Sequence, residues 1–182
     1  MAEYDNLAEG TLGETEVYRG RVFSVGERTV RLPDGRQAPR EIVHHLGAAA
    51  VVPVDAQGRV TLVRQFRTAI GAVTLEIPAG KLDTAQENPL DCAHRELMEE
   101  TGLAAERMEL LTRLTPTPGY CTEVVNLYLA TELSKGRMRL DEDEFLTVER
   151  MPLAEAADMV MRGELADAKT AVGILMAYRK LC

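Results

Sequence analysis

The chain has 182 residues, about the length of one globular domain. Its 21 Lys+Arg against 29 Asp+Glu leave a formal net charge of −8, which excludes a general binder of nucleic acid or anionic membrane, since phosphate affinity comes mainly from Lys and Arg. The 46% apolar fraction supplies a core and excludes a disordered chain. Residues 1–10 are acidic and lack the hydrophobic run of a secretory signal. The longest apolar stretch, residues 46–54, is far short of the roughly 20 residues of a spanning helix. Cys92, Cys121 and Cys182 are odd in number and widely spaced, which suits a reducing cytoplasm rather than a disulfide framework or a cysteine zinc site.

Taken in chain order, residues 17–25 and 28–32 are rich in β-formers, and Pro33-Asp34-Gly35 signals a turn into a paired strand at 38–45. Residues 47–54 form a continuous apolar run, as expected of a strand covered on both faces. A turn at Ala56-Gln57-Gly58 leads into an alternating strand at 59–66, and a short strand at 73–77 ends at Pro78-Ala79-Gly80. The spacing then predicts a helix over 88–101, with Asn88 as N-cap, Pro89 in the first position and Gly102 at the end. Strands follow at 109–114, 124–130 and 145–151, and helices at about 153–162 and 166–181 close the chain. Strands first, one helix in the middle and helices last predict an α/β fold, a mixed sheet with helices on its faces.

The middle helix carries Glu96, Glu99 and Glu100 on one face, since 100° per residue places Glu100 about 40° from Glu96 and Glu99 about 60° to the other side. Like charges at this spacing oppose the helix by a few tenths of a kcal/mol per pair. The C-terminal dipole disfavours Glu99 and Glu100 by a further ~0.3–1 kcal/mol each. A solvated acidic face relieved by an Arg95–Glu99 pair is one reading of this pattern. The other is a divalent cation between Glu96 and Glu100, for which oxygen-only ligands favour a hard ion such as Mg²⁺ or Mn²⁺. The tight loop Pro78–Gly80 just upstream and the acidic run Asp141-Glu142-Asp143-Glu144 favour the second reading.

Gly80-Lys81-Leu82-Asp83-Thr84-Ala85-Gln86-Glu87, then seven residues, then Arg95-Glu96-Leu97-Met98-Glu99-Glu100-Thr101-Gly102-Leu103 resembles the Nudix box. The one departure is six residues instead of five between Gly80 and Glu87, which falls in the loop 81–86, where an insertion is cheap. Within the Nudix hydrolases the chain is most similar to the ADP-ribose pyrophosphatase branch. Val63-Arg64-Gln65-Phe66-Arg67, Leu75–Gly80, Pro118-Gly119-Tyr120 and Asp167-Ala168-Lys169-Thr170 all resemble that branch, and Pro118 lies fifteen residues beyond the box.

The resemblance implies a Nudix-type α/β/α sandwich over residues 46–182, preceded by an N-terminal antiparallel β region over 1–45 that forms a homodimer. It implies Mg²⁺-dependent (or Mn²⁺-dependent) hydrolysis of ADP-ribose to AMP and ribose 5-phosphate. Glu96, Glu100 and the Ala79 carbonyl would hold the metal, with Glu144 close to it. Glu142 would be the base, though the roles of Glu142 and Glu144 could be exchanged, and Glu99 would assist the cluster. Arg95 would lock the loop to the helix. Arg67, Arg40 and Glu123 align with substrate contacts and Glu41 with the nucleobase, on which Tyr18 or Phe23 would stack. A broader nucleoside-diphosphate-sugar hydrolase, for example one acting on GDP-mannose, is the alternative enzyme. A non-catalytic ADP-ribose-binding module is the alternative of another class, opposed by the intact Glu96, Glu99 and Glu100.

Overall fold

A computed structural model describes residues 5–140 and 144–182. Its centre is the strand β4 (Ala48–Pro53), every residue of which is buried. Successive side chains of a strand point to opposite faces, so an apolar run of this kind serves two cores at once. Ala50 and Val52 join one hydrophobic cluster, and Ala49 and Val51 join the other.

Around β4 the chain builds a four-stranded mixed sheet in which β7 (Ala79–Lys81) pairs antiparallel with β4. On the other side β4 pairs parallel with β9 (Val125–Lys135), and β9 pairs antiparallel with β8 (Leu103–Leu114). A second, antiparallel sheet has β5 (Arg59–Arg67) between β10 (Leu146–Pro152) and β6 (Ala72–Glu76). On one side the helix α1 (Pro89–Thr101) contributes Ala93 and Leu97 to the cluster holding Ala49 and Val51. On the other, α2 (Leu153–Met161) and α3 (Ala168–Leu181) supply Ala156, Ala157, Ile174 and Ala177 to the cluster holding Ala50 and Val52. Helices thus sandwich the strands, in the α/β/α order expected.

These elements belong to one of two compact units, comprising Gly47–Pro116 and Val124–Cys182. The other takes the chain up to Leu46 together with Thr117–Glu123. It is an antiparallel sheet of β1 (Gly10–Arg19), β2 (Phe23–Arg31) and β3 (Gln37–His45), paired in that order. The stretch Thr117–Glu123 is fastened to β3 by Val43 N–H to the Tyr120 carbonyl (2.7 Å) and Thr122 N–H to the Val43 carbonyl (2.9 Å).

The expected single strand at 17–25 is in fact the end of one strand and the start of the next. The amide of Gly20 donates to the Phe23 carbonyl (2.9 Å), closing a turn inside that β-rich stretch. β8 begins at Leu103, six residues before the expected start, because pairing with β9 extends from Leu103 opposite Lys135 to Leu114 opposite Val125.

Candidate active site

The site is built from the loop after β6 and from α1, both in the larger unit. Asn88 caps α1 by accepting from Leu90 N–H (3.0 Å), and Pro89 fills the first turn, where its missing amide is no loss. Gly102 ends the helix at φ +67°, a left-handed conformation that favours glycine. With both ends fixed, the buried stripe Cys92, Ala93, Leu97, Glu100 and Thr101 faces inward. Glu100 is an acid on the buried stripe, with 2% of its surface exposed.

Glu100 accepts a hydrogen bond from the Ala79 amide at 3.1 Å, which ties the end of α1 to the Pro78–Gly80 loop. Burial, followed by the charges of Glu144 and Glu96, pushes its carboxyl up to about 8, against the opposing pull of the Ala79 amide and Arg67. Burial also raises the Glu96 carboxyl, and so do Glu99 and Glu144, while Arg95 draws it down. Glu96, Glu99, Glu100 and Glu144 therefore form one mutually repelling group. Next to it lies Gly80, where a Cβ would come within 1.9 Å of Glu96 Oε1. Only glycine lets that carboxylate lie against the backbone.

Arg95 binds the same cluster from one side. Its Nη1 donates to Glu96 (2.6 Å) and Glu99 (3.2 Å), and its Nη2 to Glu87 (3.2 Å) and the Lys81 carbonyl (3.4 Å). Glu87 in turn accepts from the Asp83 amide at 2.6 Å. The longer loop at 81–86 thus still returns Glu87 to the arginine. The Arg95–Glu99 pair of the solvated-face reading is present as well, so that reading and the buried cluster coexist on one helix.

Among the described residues, no three His, Cys, Asp or Glu side chains are gathered into a ready-made ion cage. The donor set nonetheless fits a hard divalent cation: all its groups are oxygens, they repel one another in a place that disfavours charge, and Gly80 lets the Glu96 carboxylate lie against the loop backbone.

Arg67 lies at the end of β5 in the same unit. Its Nε and Nη2 donate to Glu76 at 2.8 and 2.7 Å, and its charge is felt by Glu100. Arg40, Glu41 and Glu123 are in the smaller unit. Arg40 pairs with Glu9, Glu41 stands directly opposite Glu27 across β2 and β3, and Glu123 lies 3.8 Å from His45 Nδ1. The expected base, Glu142, falls outside the described residues. Glu76 and Lys169 had no assigned role, although both lie in segments that carry the family resemblance. Only the fold brings Glu76 to Arg67, nine residues away in sequence, and Lys169 to Glu76, 93 residues away.

A family model described as the NUDIX domain matches residues 43–171, and the chain belongs to that family. It is 40% identical over 171 residues to an ADP-ribose pyrophosphatase of Bacillus subtilis (strain 168), covering 93% of this chain and 92% of that one. It is 38% identical over 180 residues to an ADP-ribose pyrophosphatase of Mycobacterium tuberculosis (strain ATCC 25618 / H37Rv), covering 98% and 86%. A solved structure described as an ADP compounds hydrolase shares the fold with a TM-score of 0.82 at 24% identity, over 95% of this chain and 94% of that one.

Proposed function

We propose that the protein hydrolyses the diphosphate of ADP-ribose, giving AMP and ribose 5-phosphate, with Mg²⁺ as the physiological ion and Mn²⁺ as a substitute. The observation that carries this reading is the repelling carboxylate group of Glu96, Glu100 and Glu144 beside the Ala79–Gly80 backbone, on a chain similar to two ADP-ribose pyrophosphatases over 92% and 86% of their lengths. An acidic protein and an anionic diphosphate repel each other, so a counter-charge is required. A divalent cation held by Glu96, Glu100, the Ala79 carbonyl and Glu144 would neutralise phosphate oxygens and acidify a water.

The protein's own groups supply the rest. Glu142 takes the proton of the attacking water, a role that typically contributes roughly 10²–10⁴ in rate. Arg67 holds a phosphate with the planar guanidinium fork that suits two oxygens. Glu99 steadies the cluster through Arg95. Arg40, Glu41 and Glu123 contact the nucleoside half, and Tyr18 or Phe23, whose rings lie 5.8 Å apart, stacks on the base. The protein acts as a homodimer formed through its N-terminal sheet. Three free cysteines suit a cytoplasmic location, and among the described residues no helix is long and apolar enough to cross a membrane.

The test is to offer purified protein ADP-ribose, ADP-glucose and GDP-mannose with Mg²⁺ and to resolve the products by chromatography. AMP and ribose 5-phosphate from ADP-ribose, at a kcat/KM well above that for GDP-mannose, is the expected result. Equal values for the two would replace it with the broader nucleoside-diphosphate-sugar hydrolase. Binding without turnover would replace it with the sensing module. Glu100→Gln and Glu142→Gln are expected to lower kcat by about 100-fold or more with little change in KM. Undiminished turnover in either would remove that residue's role.

A further inference from the structure

Arg67, its side chain 40% exposed, is held by a buried carboxylate with more partners than strand pairing requires, and we infer that Glu76 and Lys169 are positioning residues that present Arg67 to the diphosphate. The inference rests on the substrate-binding role proposed for Arg67.

All four positions around the Glu76 carboxylate are filled. Oε1 accepts from Arg67 Nε (2.8 Å) and Thr74 Oγ1 (2.6 Å), and Oε2 accepts from Arg67 Nη2 (2.7 Å) and Lys169 Nζ. Both ends of the guanidinium edge are thereby fixed, and Nη1 is left out of the pairing. Lys169 is itself oriented by Asp167 at 3.0 Å, the residue that caps α3 through Thr170 N–H (3.0 Å). Thr170 donates its hydroxyl hydrogen to Asp167 (2.5 Å) and accepts from the Ile77 amide (3.0 Å). Ile77 is followed by Pro78 and by Ala79, whose amide binds Glu100. One network from the start of α3 therefore fixes both the arginine and the backbone that carries the proposed metal-ligand carbonyl. Arg67, Glu76, Asp167 and Lys169 also border a cavity of about 550 Å³, so the arginine stands at an opening rather than in packed core.

Arg64, three residues earlier on the same strand, shows what β5 needs for an arginine. It makes a surface pair with Glu149, the two side chains being 42% and 37% exposed. Exposed pairs of this kind add little stability and require no buried acid. At Glu76 the side chain is 3% exposed, and its neighbours Leu75 and Ile77 are apolar and buried. Burying a carboxylate and a second cation there is unfavourable compared with a packed apolar side chain. Stability of the strand does not call for this arrangement. An arginine that must keep one orientation while a polyanion arrives does.

The experiment is a double-mutant cycle on the full-length protein with ADP-ribose and saturating Mg²⁺, using Lys169→Met, Arg67→Ala and the double variant, each checked by thermal melting. Lys169→Met is expected to raise KM about tenfold with kcat nearly unchanged, to have no effect in the Arg67→Ala background, and to be rescued by Lys169→Arg. The ¹⁵N-edited NMR signal of Arg67 Nε–H, sharp in the parent, should broaden or vanish in Lys169→Met and in Glu76→Gln. An equal KM penalty with and without Arg67, or an unchanged KM and Nε–H signal in Lys169→Met, overturns the inference while leaving the hydrolase reading intact. A parent protein that turns over no nucleoside diphosphate sugar overturns the hydrolase reading, and the role assigned to Lys169 falls with it. The NMR signal then reports only a structural tether.

Discussion

Two buried carboxyl groups in the same unit have opposite responses to pH, and the difference lies in their partners. At Glu100, burial and the charges of Glu144 and Glu96 raise the carboxyl from 4.5 to about 8. A raised pKa contributes stability that is fully present below the unfolded value and is lost as pH rises through the folded one, so this group weakens the fold between about pH 4.5 and 8. A cation bound by the ionised form reverses that loss. Saturating Mg²⁺ is therefore expected to raise Tm by several degrees at about pH 8.5 and by much less at about pH 5.5, where it must displace the proton. Equal shifts by differential scanning fluorimetry at the two pH values would count against Glu100 as a ligand. At Glu76, burial also pushes upward, but Arg67, Lys169 and Thr74 together bring the carboxyl down to about 2. Its contribution is present above about pH 4.5 and is lost as pH falls towards 2. In a melting series between pH 5 and 2.5, Glu76→Gln should accordingly lose less stability than the parent. Gly80→Ala tests the close approach of backbone to Glu96. A methyl group 1.9 Å from Oε1 must displace the carboxylate, and turnover should fall by about 100-fold, far more than a surface glycine replacement such as Gly10→Ala would cause.

Helix α1 was legible in the sequence because its signals are local: an Asn-Pro start, a glycine end and a one-sided apolar stripe, all within fifteen residues. Gly102→Ala places a Cβ at φ +67° and Asn88→Ala removes a cap, so each should lower stability by about 1 kcal/mol in urea melts. The strand β7 is three residues long, exists only through pairing with β4, and has no periodicity of its own to read. The turn at Gly20 was hidden by β-formers on both sides, since composition marks a tendency to extend and not the point where pairing reverses. Within the site, the nearness of Glu96 and Glu100 on α1 could be read from spacing, and the bonds from Arg95 to the loop from family resemblance. The pairing of Glu76 with Lys169 could not, because side chains 93 residues apart meet only once α3 lies on the sheet. Glu87 is a middle case. Its place in the motif was visible, but its contact with the Asp83 amide depends on the path of a loop with an added residue.

At the scale of the molecule, the uneven quality of burial carries a prediction. The larger unit has two hydrophobic clusters, whereas β1 in the smaller one is exposed along all ten residues, with Leu12, Val17 and Tyr18 turned to solvent. A ten-residue strand with three large apolar side chains uncovered is unusual for a sheet of only three strands. Covering by a second copy of the chain is the expected resolution, and analytical ultracentrifugation should give twice the chain mass of 20.0 kDa. Val17→Lys together with Leu12→Lys should shift the protein towards the single-chain mass. A parent protein sedimenting as one chain would dismiss the homodimer.

The bond from the Ile77 amide to Thr170 also sets an order of events during synthesis. The carboxylates of α1 are made about 70 residues before Thr170, and the loop they act with, already paired to β4, gains its tether at Ile77 only when α3 is in place. Chains truncated before Thr170 should be catalytically silent, because hydrolysis requires α3 docked against the Ile77 amide.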